Sequence, residues 1–587
     1  GDLEVTVWAK SPMFYNPTNM DVDAQGRIWI AEGVQYRVYK NTKMKIKHPK
    51  GDRIMVLTDS DNDGKADKSH CFVQDKDLVA PLGVAVIGNR VIVSQPPSLF
   101  MYTDVDGDAK FDPAVDKKET FLTGFGGVDH DHSLHSVTFG PDGEYYFNQG
   151  NAGYSEVKDK DGKVTRVGSS YTGGGVKFNK PGEVSDDGFV YVGGFACRVK
   201  PDGSGLTVIG HNFRNSYEQT VSSFGDVFQN DNDDPPACRT TWLMEYGNAG
   251  FSSADGTRPW KADRRPGQRT QIAEWRQEDP GTLPAGDVYG GGSPTGIALY
   301  ENGALGSRYE GLLLSCEAAE REVVGYSPTP MDSGFKMKNF SFFNSHKKGP
   351  KSLWFRPADV VVGADGAIYV ADWYDPGVGG HRMADKDCSG TIYRIAPKGF
   401  KPHNPKFDLD TIDGMIQALK SPAVNVRSLG FIGLKDAGAK AIPALKKLLT
   451  DDNKYFRARA VWLLSQINDE GRQVVEALLQ NPDDQTRIVA YRALRRVQYK
   501  FYELSKQLAE DKSPAVRREV ALAMRNESFE KSKDILTRIA EQFDGKDRWY
   551  LEALGTGCAK KEQKMYALLR NKIGSPALQW DARFKGI

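Results

Sequence analysis

Gly140-Pro141-Asp142-Gly143-Glu144-Tyr145-Tyr146-Phe147 reads as a tight turn feeding a short strand. Proline and the Asp-Gly pair set the turn, and the aromatic run suits a pleated, half-buried surface. The unit recurs as Gln25-Gly26-Arg27-Ile28-Trp29-Ile30, Gly88-Asn89-Arg90-Val91-Ile92-Val93, Phe224-Gly225-Asp226-Val227-Phe228 and Asp365-Gly366-Ala367-Ile368-Tyr369-Val370. Several tens of residues separate the copies, room for a four-stranded sheet each. Many short strands at such a recurrence predict a β-propeller over residues 1–396, with a large sandwich or barrel as the competing architecture. Leu3-Glu4-Val5-Thr6-Val7-Trp8 is expected to pair near Thr391-Ile392-Tyr393-Arg394-Ile395, closing the ring and removing exposed edges.

Just upstream of the first turn lies Asp129-His130-Asp131-His132-Ser133-Leu134-His135, three of the chain's 9 histidines within six residues. Titratable side chains ahead of a rigid strand commonly line a site. The whole chain, at 587 residues, is too long for one ordinary domain. Its 78 basic and 77 acidic residues create no global field toward nucleic acid or an anionic membrane. No apolar run approaches the length of a bilayer span. The cysteines at 71, 197, 238, 316, 388 and 558 form no Cys-x-x-Cys, which argues against a zinc knuckle or covalent c-type haem. One or two disulfides, with Cys197–Cys238 first among them, stand beside buried free thiols as the alternatives.

Two acidic loops share one spacing. Asp59, Asp61, Asp63 and Asp67 stand at relative positions 1, 3, 5 and 9 with Gly64 after the third, and Asp104, Asp106, Asp108 and Asp112 repeat this with Gly107 at the turn. Alternating carboxylates on a Gly-containing loop wrap a hard cation, so each loop is expected to hold structural Ca²⁺. Neither is a full EF-hand, since no Glu stands at position 12. Millimolar Ca²⁺ is extracellular, which points to a secreted or periplasmic protein.

Residues 397–410 read as a Pro/Lys-rich linker, and helical periodicity takes over across 411–587. Arginine recurs at 427, 457, 487 and 517, each followed seven residues later by Leu434, Leu464, Leu494 or Met524. A fixed period of 30 with paired amphipathic helices describes an α-solenoid of HEAT type, its arginines a buried ladder bracing successive repeats.

Further polar clusters abut propeller strands: Arg214-Asn215-Ser216-Tyr217, the acidic run at 230–236, Glu317 to Arg321, Phe355 to Asp359, and Asp372-Trp373-Tyr374-Asp375-Pro376-Gly377-Val378-Gly379-Gly380-His381. In a propeller such loops converge on the central funnel. The order of these motifs, with His132 eight residues before its turn and Arg214-Asn215 ahead of an acidic loop, resembles the soluble glucose and aldose dehydrogenases that use pyrroloquinoline quinone (PQQ). The Asp372–His381 run with HEAT-type repeats is similar to the secreted "membrane-bound dehydrogenase"-type proteins of Planctomycetes and Verrucomicrobia.

The resemblance implies an all-β six-bladed propeller followed by an all-α HEAT-like solenoid, oxidising a sugar in the funnel. It implies His132 as general base, Arg214 and Asn215 against the quinone, Arg356 on one quinone carboxylate, and carbonyl oxygens of 230–236 on a Ca²⁺. The lysine those enzymes turn to the cofactor falls at Glu320, and their second arginine at Ala358. Two other readings stay open. His130, His132, His135 and His381 with Asp231 and Asp233 could bind Mn²⁺, Zn²⁺ or Ca²⁺ for a metal-assisted lyase, with His135 or Tyr374 as base. A carboxyl pair from Glu317, Glu320, Asp372 and Asp375 would suit glycoside hydrolysis, with Tyr217, Arg321 and Trp373 as substrate contacts. The last reading is a non-catalytic glycan-binding scaffold whose solenoid recruits a partner or electron acceptor.

Overall fold

The computed structural model describes residues 2–36, 47–127, 132–171, 179–233, 235–346, 352–377 and 384–572. Six sheets, antiparallel but for one short parallel pair in the third, stand around one axis as the blades of a propeller, with a helical solenoid behind them. Their inner strands are Pro17–Val22, Gly83–Ile87, Leu134–Phe139, Gln219–Val221, Pro294–Tyr300 and Pro357–Val362, numbered here as blades 1 to 6. Leu3–Lys10 pairs antiparallel with Thr391–Pro397 and completes blade 6, with Val5 opposite Ile395. The ring thus closes with strands from both ends of the propeller.

Side chains of the inner strands sew the blades to one another around the axis. Thr18 donates to the Pro81 carbonyl (2.6 Å), Ser136 to Glu218 (2.6 Å), and Thr295 to the Pro357 carbonyl (2.8 Å). Asp359 closes the circle from blade 6 by accepting from the Met20 amide at 2.6 Å. Ser94 reaches the His135 carbonyl between blades 2 and 3, and Glu218 accepts from the Ile297 amide between blades 4 and 5. All but the Ser136–Glu218 bond satisfy a backbone group that the barrel-like centre would otherwise bury unpaired.

The turns between first and second strands all lie at one end of the axis, and the solenoid packs against that end. Gly143 and Gly225 adopt φ of 86°, which their turns require. A Cβ on either would stand 2.6 Å from the Phe431 ring or 2.9 Å from the Trp462 ring, so these turns are flat seats for solenoid aromatics. Glu301, buried at the end of blade 5, accepts from Arg427 (2.8 Å), Arg459 (2.9 Å) and Ser223. Arg492 bridges Asp226 of the propeller and Glu519 of the solenoid. Trp549 packs edge-on against Trp242 with centroids 4.9 Å apart.

Asn425, in the loop before the helix Arg427–Ala437, reaches the axis itself. Its amide nitrogen donates to Asp21 at 2.6 Å, and its oxygen accepts from the Phe139 amide at 2.8 Å. One solenoid side chain thereby joins the inner strands of blades 1 and 3.

The period-30 arginines brace their own repeats more than successive ones. Arg427, Arg457, Arg487 and Arg517 each donate to the carbonyl six residues back, at Ser421, Asp451, Asn481 and Asp511. The side chain clamps the turn that delivers its own helix. Arg487 and Arg517 also reach the following repeat, through Asp511 and the Tyr550 hydroxyl. Arg548 departs from the pattern and donates to Gln277, Asp279 and Thr282 carbonyls of the propeller. The disulfide expectation is not met, because all six cysteines are free and five are buried. No helix among the described residues is long and apolar enough to cross a membrane.

Candidate active site at the mouth opposite the solenoid

The starts of the inner strands and the ends of the second strands meet at the far mouth of the channel. His132 stands there, 6% exposed, just ahead of its inner strand. Its Nδ1 lies 2.7 Å from Asn151 Oδ1, and its ring stacks on Tyr171 with centroids 4.7 Å apart. Donating from Nδ1 to this amide oxygen fixes the tautomer that carries the Nδ1 proton and leaves Nε2 as the basic nitrogen. The Asn151 amide donates to the Arg214 carbonyl and the Ala152 amide to the His132 carbonyl, both at 2.9 Å. This short segment therefore holds the histidine and the arginine in register.

Arg214 pairs with Asp233 at 3.1 Å and donates to the Asn232 carbonyl, so its charge is largely spent inside the protein. The Asn215 amide donates to Asp231 at 2.8 Å, and Asp231 in turn pairs with buried Arg239. His135 lies deeper, fully buried, with Nε2 3.3 Å from Asn215 Oδ1 and its ring against Tyr217. Burial pushes its pKa down to about 4, so the ring is neutral and forms the floor of the mouth.

The carboxylates foreseen as acids serve as ties for the mouth's loops. Glu317 takes the Gly292, Ser293 and Ala319 amides and the Tyr289 hydroxyl. Asp372 takes the Arg356 and Tyr374 amides, both at 2.8 Å. Asp375 takes the Gly377, Ala384 and Asp385 amides. Burial raises Glu317 and Asp372 to about 7 even against these donors. Glu320 points to solvent, while its carbonyl accepts from His346. Arg321 is half-buried nearby, and Ala358 is buried on the inner strand of blade 6. His130 and His381 lie outside the described residues.

Arg356 is different. It is 4% exposed, and its guanidinium donates to the Ala318 (3.0 Å) and Pro376 (2.8 Å) carbonyls while Nε has no partner. Among the described residues no carboxylate stands within ion-pair distance. Burial and the neighbouring Arg321 depress its pKa, opposed by the more distant Asp375 and Asp372. A buried cation held by carbonyls alone is electrostatically matched to an anionic ligand. Half-exposed aromatics flank it, Trp373 against Tyr36 (5.4 Å) and Tyr374 against Trp354 (5.2 Å).

The acidic loops lie at the opposite, solenoid end. Carboxylate oxygens of Asp59, Asp61 and Asp63 lie within 4.8 Å of one another, and those of Asp104, Asp106 and Asp108 do the same. Asp67 and Asp112 stand apart, their oxygens taken by Ser60 and by the Ala114 amide. His70 Nε2 donates to the Ala109 carbonyl, 3.0 Å away, so the strand after the first loop touches the second.

Sequence reasoning passed over Asn151 and Tyr171. The hairpin register held the signal for Asn151: Leu134 pairs with Gln149, so two residues outward His132 faces Asn151. It also gave no role to Asn19, Glu218 or Asp359, which meet on the axis beneath the mouth.

The family model described as a domain of unknown function, DUF7133, matches residues 1–398, and HEAT repeats match 412–495 and 471–555. No curated relative matches the chain. Among solved structures, the holo PQQ domain of a pyranose dehydrogenase from Coprinopsis cinerea is 14% identical, covering 67% of this chain and 95% of its own, with a TM-score of 0.39. A PQQ-bound aldose sugar dehydrogenase from Streptomyces coelicolor is 12% identical, covering 67% and 98%, with a TM-score of 0.42. The calcium structure of a Trichoderma reesei carbohydrate-active enzyme of family AA12 is 12% identical, covering 68% and 96%, with a TM-score of 0.42.

Proposed function

The chain belongs to the DUF7133 family, and we propose that it oxidises a sugar hydroxyl at this mouth, using an anionic quinone cofactor of the PQQ kind. The buried guanidinium of Arg356, which no described carboxylate pairs, carries this reading. The residues present fit one anionic group of such a cofactor: Arg356 would hold a carboxylate, with Arg321 adding positive potential. A quinone bound there supplies the two-electron oxidant. His132 takes the hydroxyl proton on Nε2, its orientation fixed by Asn151 and Tyr171. Trp373 and Tyr374 offer apolar ring faces to a sugar and exclude water around it. The geometry of the two triple-aspartate loops supports reading them as structural Ca²⁺ sites, a reading that favours a protein outside the cytoplasm.

The lyase and hydrolase readings lose support, because Glu317, Asp372 and Asp375 spend their oxygens on backbone amides. Titration of the full chain with PQQ and Ca²⁺, read by quinone absorbance and then by dye reduction with a sugar panel, tests the proposal. Arg356→Gln should weaken quinone binding about tenfold or more. His132→Ala should bind the quinone as the parent does and lose oxidation by roughly 10²–10⁴-fold. A stoichiometric transition metal at the mouth, with no quinone titration, would refute it.

A further inference from the structure

Glu218 and Asp359 come from blades 4 and 6 and meet at Asn19, whose Nδ2 donates to Asp359 at 2.8 Å and lies 3.4 Å from Glu218. Two carboxylates gathered on one amide nitrogen inside the ring are far less costly to bury with one proton on the pair than with two full charges. The other oxygens are served by donors from around the ring. Asp359 accepts from the Met20 amide (2.6 Å), Asn19 (2.8 Å) and its own strand's Val360 amide (2.7 Å). Glu218 accepts from Ser136 (2.6 Å) and from the Ile297 amide (2.8 Å). Asn19 Nδ2 also lies 3.4 Å from Glu218, so the pair and its donors span blades 1, 3, 4, 5 and 6.

No lysine or arginine is among the groups acting on either acid. The other titratable groups facing them are Tyr217 and Cys316, both neutral because burial and these same acids raise them. His135 lies above Tyr217 and is itself neutral. Among the described residues neither acid has a salt bridge that would compensate a second negative charge.

We propose that Glu218 and Asp359 form a proton latch on the propeller axis: one shared proton ties five blades together, and its loss in alkali loosens the ring beneath the mouth. Full ionisation sets two like charges side by side around Asn19. Burial raises both groups, Asp359 well above the ordinary carboxylate range. A raised carboxyl contributes stability that is complete in acid and is lost as pH rises through its folded-state pKa. Tyr217, the residue before Glu218, floors the mouth and donates to the Thr18 carbonyl at 2.9 Å, so loosening is felt at the site above.

The test is the melting midpoint of the full chain from acid to alkaline pH, for the parent, Asp359→Asn and Glu218→Gln, with and without a chelator. Other buried acids also raise alkaline sensitivity, so the difference between parent and variant is decisive. Either amide keeps a donor in place of the proton. The variant should lose part of the parent's alkaline decline and finish about 2–4 °C higher there, and should lack one protonated-carboxyl infrared band. If Asp359→Asn does not fold, Glu218→Gln decides by the same readings. Parallel pH profiles, an unchanged carboxyl band, or a profile difference that vanishes with chelator would overturn the latch, the last by exposing a cation in the proton's place.

Discussion

Asn151 meets the His132 ring with an amide oxygen and not with a carboxylate. Asn151 orients the imidazole but lends its protonated form no counter-charge. Asn151→Asp should therefore raise the pKa of this base. Since the neutral ring is the active form, the acid limb of kcat/KM should move up by about one pH unit, measured as a pH–rate profile with saturating quinone. His135→Gln should leave that limb in place, because the buried ring is already neutral above about pH 4. His132, Arg214 and Arg356 were legible in the sequence because each stands one to five residues ahead of an inner strand's core. The roles of Glu317, Asp372 and Asp375 were not, because residue type does not say which backbone amides a carboxylate will meet.

At the level of elements, the Asp-Gly turn does two jobs. Its glycine permits the positive φ, and the missing Cβ admits an aromatic ring of the solenoid. Gly225→Ala should therefore destabilise the chain by about 1–3 kcal/mol from backbone strain and crowding of Trp462, seen as a lower urea midpoint. The same change at Gly64, whose Cβ would meet nothing within 4 Å, should cost less. The clamping arginines are a second local device. Arg487→Ala breaks a buried pair with Asp511 and frees two carbonyls, so about 2–4 kcal/mol is expected. Strand recurrence and the period of 30 made both element types readable. The reach of each arginine, inward to its own turn or outward to the propeller, depends on helix facing, which the period alone does not fix.

For the whole molecule, propeller and solenoid are joined through buried charge. Burial alone would raise Glu301 and Glu245, but Arg427 and Arg459 hold the first below its usual range, and Arg495, Arg496 and Arg198 hold the second at about 2. A lowered carboxyl stabilises above its unfolded pKa and loses that contribution as pH falls through the folded one. Acidification from about pH 4.5 toward 2 should thus loosen the solenoid from the propeller, visible by small-angle scattering as an expanded particle. Glu301→Gln should mimic this at neutral pH, at about 3–5 kcal/mol, by stranding two buried guanidinium groups. Contacts of this kind join residues more than a hundred positions apart, and no sequence period encodes them.

Asn425 gives the molecule a topology of its own. Its amide reaches the inner strands of blades 1 and 3, past the blade between them. The span between those two strands is therefore gauged by one side chain from outside the propeller, and a solenoid that shifts must carry the ring's spacing with it.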